Sequence, residues 1–495
     1  MSGTNVKVAA VVVVLLIAAG VAYFAFFTGQ QAQSSESLGT TSSTQTSVPT
    51  SATSVRTTTS LSSTMETTVA THSSTAVADY GNWTAYHKDY TRSGFEQLGN
   101  ISAVTPGWTF PGLDGQAYAE PLVLGEYVYV ATENDSVYAF NALDGSLLWR
   151  TNLGSPVPGG TLPCGDIDPS GITGTPVIDN ATETIFVVAF VNPGQHILFG
   201  VNLESGQVVS QQVTDPPGAN PLVEQQRGAL ALFDGVVFIP YGGLYGDCGD
   251  YHGWVVGASA NGTTPIISYE VPTNREGGIW ASGGFAIAPD EDIFVATGNG
   301  DSTTIFDHGD SVIELSESLQ EQDYFAPANW ASLNENDMDL GSLSPTVLPN
   351  GDVFQVGKEG TGYLLSGTTL GGIGGQLYSA GVCSGAYGGT AHVGQAVFVP
   401  CTNGLVEVVA GASNFTLGWR TSSFFAGSPI VTGNVVWVVD VDNGNLLGYG
   451  LSTGAQLYTF PLGSVVHFCT PSAGDAELFV VGGTELYSFD LSWSS

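Results

Sequence analysis

The sequence predicts an all-β, eight-bladed propeller of four-stranded antiparallel blades, preceded by one transmembrane helix and a disordered stalk. Three observations carry this expectation. A strand-and-turn pattern recurs roughly every 50 residues from Tyr118 to the C-terminus. The 66 glycines and 24 prolines suit a fold built from tight turns. Within the repeats, no apolar run of helical period exceeds a turn or two.

The clearest copy is EPLVLGEYVYVATENDSVYAFNALDGSLLWR, residues 120–150. A proline opens an apolar strand at 122–124, and a glycine turn leads to an alternating strand at 127–132. A Glu-Asn-Asp turn leads to a third strand at 137–140, and Asp144-Gly145 turns the chain into a fourth that ends at Trp149. Four such strands make a blade that cannot bury both faces alone and so needs neighbours. Seven further copies start near Pro176, Ala229, Gly284, Pro345, His392, Pro429 and Pro471. The last copy runs out at Leu491 without a fourth strand. The orphan segment 106–110, which contains Trp108, is expected to supply it and close the ring. The propeller is expected over residues 79–495, with blades from about 106 to 491.

Residues 8–27 are uncharged and mostly apolar, long enough to cross a hydrocarbon core of about 30 Å. Residues 1–28 therefore read as a membrane anchor or signal segment, with Lys7 favouring an inside N-terminus. Residues 29–78 are dominated by Ser and Thr and read as a disordered stalk. Six Asn-x-Ser/Thr sequons, at Asn82, Asn100, Asn134, Asn180, Asn261 and Asn414, are candidate glycosylation sites. Together these features predict a cell-surface, single-pass protein with an extracytoplasmic propeller.

The formal charge is −36, from 45 acidic and 9 basic residues. Charged residues total only 11%, so the surface is poor in charge of either sign and suits acidic surroundings. With no basic patch, nucleic acid is not expected as a partner. Of five cysteines, Cys383 and Cys401 are expected to pair within one blade, and Cys164 and Cys248 between loops of consecutive blades, leaving Cys469 free. No CxxCH motif exists, so no haem is expected. Gly450-Leu-Ser452-Thr-Gly454 and Asp440-Val-Asp442-Asn-Gly444 match a nucleophile elbow and a calcium loop only literally. Both read as hairpin turns.

The richest region contains Trp280, then Thr297-Gly-Asn299-Gly, then Asp337-Met-Asp339, then Lys358 in VGKEGTGYLL. The blade pattern resembles the pyrroloquinoline quinone (PQQ) propeller repeat, and this ordered set is similar to the central residues of quinoprotein alcohol dehydrogenases. The resemblance covers roughly residues 83–493. It implies that Trp280 stacks on the quinone, that Asn299 helps to ligate calcium, that Asp337 or Asp339 acts as base, and that Lys358 bonds the quinone. A flat aromatic suits a planar quinone, calcium takes oxygen ligands, and a carboxylate can accept an alcohol proton. The family's calcium-ligating Glu has no counterpart here; Asp247 or Asp250 would have to replace it. The adjacent-cysteine pair is absent, and no Arg is recognisable at the family's position in the early blades. Two functions follow as expectations: a quinoprotein oxidising small alcohols, aldehydes or sugars through an external electron carrier, or a non-catalytic envelope module that binds a protein or glycan.

Overall fold

The computed structural model describes residues 81–474 and 476–494. The anchor and stalk expected over 1–28 and 29–78 lie outside them. Among the described residues, no helix is long and apolar enough to cross a membrane.

Eight sheets, each built on four antiparallel strands, follow one another along the chain. Blades 1 to 7 span residues 122–152, 177–213, 231–270, 285–326, 346–381, 391–420 and 430–461. Blade 8 takes three strands from the C-terminus, and its outer strand is Asn100–Phe110, paired antiparallel with Glu485–Ser494. The expected closure is present, with a longer strand than the 106–110 segment. The two middle strands of each blade are largely buried, whereas outer strands such as Leu147–Asn152 alternate between exposed and half-buried. Full burial of each Val, Leu or Phe contributes about 1.5–3 kcal/mol, and these side chains interlock adjacent blades.

Three seams share one device. Trp108, Trp149 and Trp419, all on outer strands, donate their indole N–H to the carbonyls of Ala142, Leu203 and Leu451 in the next blade. Each indole lies on a turn glycine: Gly145, Gly206 or Gly454. These glycines have φ of +68°, +68° and +62°. A Cβ on Gly206 would stand 2.7 Å from the Trp149 ring. Glycine is required twice over, for its backbone and for the space it leaves.

Residues 83–94 wind around the axis as a spiral that the repeat pattern did not announce. The carbonyls of Trp83, Thr84, Tyr90, Thr91, Ser93 and Gly94 accept the backbone N–H groups of Val123, Ile178, Ile287, Val347, His392 and Val431. Those donors sit on, or at the end of, the inner strands of blades 1, 2, 4, 5, 6 and 7. Blade 3 is reached by the Tyr90 hydroxyl, which accepts from Leu232 N–H at 3.2 Å. These bonds tie the segment to seven of the eight blades and satisfy edge donors that would otherwise lack partners.

Both expected disulfides are present, with Cα–Cα distances of 6.0 Å for Cys164–Cys248 and 6.2 Å for Cys383–Cys401. Cys469 is free and buried. One detail differs: Cys383 follows the outer strand of blade 5, and Cys401 ends the second strand of blade 6. That bond therefore joins two blades. Two disulfides fit an oxidising compartment. Asn100, Asn180, Asn261 and Asn414 are exposed, and Asn82 is half-buried. Asn134 is half-buried and donates its Nδ2 to Asp114 at 2.8 Å.

Candidate functional site

Each inner strand runs from a blade-to-blade crossover toward the spiral. The crossovers, and the hairpins between second and third strands, therefore gather at the opposite end. A cavity of about 630 Å³ opens there. Seven consecutive crossovers contribute to its wall, from Asp166 between blades 1 and 2 to Phe468 between blades 7 and 8. Only the ring axis lies beside all of them.

Trp280, Asp337, Asp339 and Lys358 all line this cavity. Asn299 is tied to them: its side-chain Nδ2 donates to Asp337 Oδ1 at 2.9 Å, and its backbone N–H donates to Asp339 Oδ1 at 2.7 Å. Lys358 Nζ lies 2.7 Å from Asp337 Oδ1 and 2.6 Å from Asp339 Oδ2. It also lies 5.6 Å from the centre of the Trp280 ring. Local structure explains the placement. The helix Trp330–Asn336 ends at Asp337, which adopts the left-handed conformation, φ 53° and ψ 50°. Asp tolerates that conformation at a helix end better than most residues do. Gly298 lets Trp280 and Asp339 approach, since a Cβ there would stand 2.7 Å from Asp339 Oδ1 and 3.0 Å from Trp280 Nε1.

The two carboxylates differ. The Asp337 side chain is 69% exposed and the Asp339 side chain 9%. Burial works against the Lys358 charge, but Asp339 and Asp337 outweigh it and hold the ammonium above its ordinary range. Behind Asp339, the buried Asp310 accepts the Leu340 N–H at 2.8 Å. Burial, reinforced by Asp339, pushes the Asp310 carboxyl well above the usual range.

Sequence reasoning missed Arg227. It lines the cavity from the crossover between blades 2 and 3, only 8% exposed, with its guanidinium 5.9 Å from the Trp280 ring centre. Its Nη2 donates to Gln225 Oε1 at 2.6 Å, and its buried Nε has no hydrogen-bond partner among the described residues. The segment PLVEQQRG carries no repeat signal, so only ring closure reveals where this Arg points. Of the two acids proposed as stand-in metal ligands, Asp247 lines the cavity and Asp250 is exposed and does not.

A planar organic anion matches this cavity: Trp280 offers a flat face, and a buried, under-bonded Arg227 stands beside it. A divalent cation does not match the donor set. Asp337 and Asp339 are already paired with Lys358, and Asp247 accepts the Tyr251 hydroxyl at 2.6 Å. Asn299 Oδ1 is buried without a partner, but it is a single neutral donor. Among the described residues, no group of three His, Cys, Asp or Glu could hold a metal ion. Calcium takes six to eight oxygens.

The family model described as outer membrane protein assembly factor BamB matches residues 87–243. No curated protein sequence matches the chain. Among solved structures, a quinohemoprotein alcohol dehydrogenase from Pseudomonas putida HK5 superposes with a TM-score of 0.66 at 16% identity, covering 84% of this chain and 81% of that one. A europium-containing methanol dehydrogenase gives 0.65 at 15% identity, covering 84% and 99%. BamB from Moraxella catarrhalis gives 0.55 at 12% identity, covering 80% and 99%. The chain has the PQQ-type propeller fold, and at these identities the likeness speaks for the fold alone.

Proposed function

We propose that the axial cavity binds an ortho-quinone carboxylate of the PQQ class and that the chain oxidises small alcohols, aldehydes or sugars. The observation that carries this reading is the convergence of Trp280, Asp337, Asp339 and Lys358 on one cavity, with Asn299 bonded to both aspartates. A bound quinone would supply the two-electron acceptor that side chains lack. Trp280 would carry its flat face, and Arg227 would meet its carboxylate. Asp337, exposed at the mouth, would take the substrate hydroxyl proton, with Lys358 and Asn299 holding its other oxygen in place. Electrons would leave to an external carrier. On this reading residues 1–28 tether the propeller to the cell surface, and the exposed sequons carry glycans. Calcium enters no step.

The test is an absorbance titration of the purified ectodomain with PQQ, followed by dye reduction with simple alcohols, aldehydes and sugars at acid and neutral pH. Uptake with substrate-dependent dye reduction is expected. Neither uptake nor reduction under any condition would defeat the enzyme reading. A non-catalytic envelope module, binding a protein or glycan with the cavity face, would then stand; the BamB family match over 87–243 favours that second reading.

A further inference from the structure

The geometry points to the two disulfides as positioning devices for the walls of the axial cavity. For ligand contact this rests on the quinone reading above, but the wall itself does not.

All four bonded cysteines lie at the cavity end of the ring. Cys164 sits two residues before Asp166, and Cys248 directly follows Asp247; both aspartates line the cavity. The bond therefore ties the crossover between blades 1 and 2 to the hairpin of blade 3, over a separation of 84 residues. The two strands flanking that hairpin end at Gly243 and begin again at Trp254. The intervening segment has little regular pairing of its own. A Cβ on Gly246 would stand 3.5 Å from Cys164 Sγ, so the hairpin packs directly on the bond.

Cys383–Cys401 acts on the opposite wall. Cys383 N–H donates to Gly360 O at 3.2 Å, in the hairpin that presents Lys358. Ala386, beside the cavity residue Tyr387, pairs with Cys401 and donates its N–H to Gly357 O at 3.1 Å. One bond thus fixes the Lys358 hairpin against the crossover that carries Tyr387.

The spiral explains why this end needs covalent ties. Its backbone bonds to the inner strands at the far end, and it meets a crossover near its inner-strand end, where His87 Nδ1 lies 2.8 Å from Thr390 O. A crossover or hairpin at the open end has solvent on one side and loses entropy when held, and a cross-link lowers that loss.

The experiment compares the native ectodomain with two double variants, Cys164→Ser with Cys248→Ser and Cys383→Ser with Cys401→Ser. Peptide-level hydrogen exchange is measured well below the melting temperature. The first variant is expected to exchange at least tenfold faster at 160–168 and 243–252, and the second at 356–361 and 382–388. In both, the spiral and the inner strands should keep their native rates. PQQ affinity should fall about tenfold in each. Faster exchange throughout the ring would make the bonds general stabilisers and overturn the inference, as would unchanged exchange at the cavity wall. A loosened wall with unchanged PQQ affinity would refute their role in ligand placement. If the native ectodomain takes up no PQQ, the quinone reading fails and hydrogen exchange alone decides the role of the bonds.

Discussion

The two ends of the axial channel each bury an arginine against aromatic rings, and they use it differently. At the spiral end, Arg92 is fully buried beside Tyr86 and Phe285. Its Nε donates to Phe285 O at 2.8 Å and its Nη1 to Tyr86 O at 3.0 Å, so it links the spiral to blade 4. At the open end, Arg227 keeps one side-chain bond, and among the described residues each guanidinium leaves one buried nitrogen without a partner, Nη2 in Arg92 and Nε in Arg227. Two bonds to backbone carbonyls of different elements tie the Arg92 guanidinium into the fold. A guanidinium held by a single side-chain bond on a cavity wall is available to a ligand. The anchoring of Arg92 to two backbone carbonyls and the cavity beside Arg227 separate the two roles where residue type and burial do not.

The largest expected effect tests that separation directly. Arg92→Ala should destabilise the ectodomain by about 3–5 kcal/mol, since it opens a void and strands buried carbonyls. Arg227→Ala should cost about 1 kcal/mol, because it removes one bond at a cavity wall. Urea unfolding of both variants measures this. Equal losses would break the distinction between the two ends.

Titration gives the next largest effect. Burial pushes Glu133 up to about 7 and Asp135 and Glu224 up to about 8. Glu314 also rises, to about 7, from burial and neighbouring acids. A carboxyl whose folded pKa is raised binds its proton more tightly in the native state. Its stability contribution is therefore complete below the unfolded value near 4 and is lost as pH rises through the folded value. The melting temperature is expected to fall by roughly 5 °C between pH 5 and pH 8. Asp135→Asn should flatten that slope. A melting temperature that rises over this range would contradict the assignment and remove support for acidic surroundings.

The seams are expected to respond more weakly. Trp149→Phe keeps a ring on Gly206 but removes the N–H donated to Leu203 O at 2.9 Å. A loss of about 1 kcal/mol is expected from calorimetry, with the cavity unaffected. A change in PQQ uptake would show that seam and site are coupled.

Much of this molecule was legible because blades are local. The period-two strands and Gly-bearing turns of 120–150 announce a blade from a single stretch, and the missing fourth strand at Leu491 called for Trp108. The spiral was not legible. Residues 83–94 bond through their backbone to six of the eight blades, and such a segment needs no side-chain period. The Trp–Gly seams were equally hidden, because Trp149 and Gly206 meet only across blades. The disulfide pairs emerged, yet Cys383–Cys401 bridges two blades, since Cys383 lies past its outer strand on a crossover. Within the site, Trp280, Asn299, Asp337, Asp339 and Lys358 came from resemblance to a known arrangement. Arg227 had no such guide, and Asp250 carried the right chemistry in the wrong place.

The smallest expected change in stability belongs to Asp337, and it sharpens the contrast within the open end. Asp337 and Asp339 share Lys358, but they do not share burial. Removing the Asp337 charge leaves Lys358 its 2.6 Å partner in Asp339, and the exposed side chain is solvated with or without that charge. Exposed ion pairs contribute about 0–1 kcal/mol, so Asp337→Asn should change unfolding free energy by about 0.5 kcal/mol or less. If Asp337 is the base, the same substitution should lower PQQ-dependent dye reduction by about 100-fold or more, because an amide cannot accept the hydroxyl proton. Asp339→Asn is the control. It strips a buried carboxylate from both Lys358 and the Asn299 N–H, so stability and activity should fall together. A large stability loss from Asp337→Asn would make this residue structural and would leave Asp339 as the candidate base.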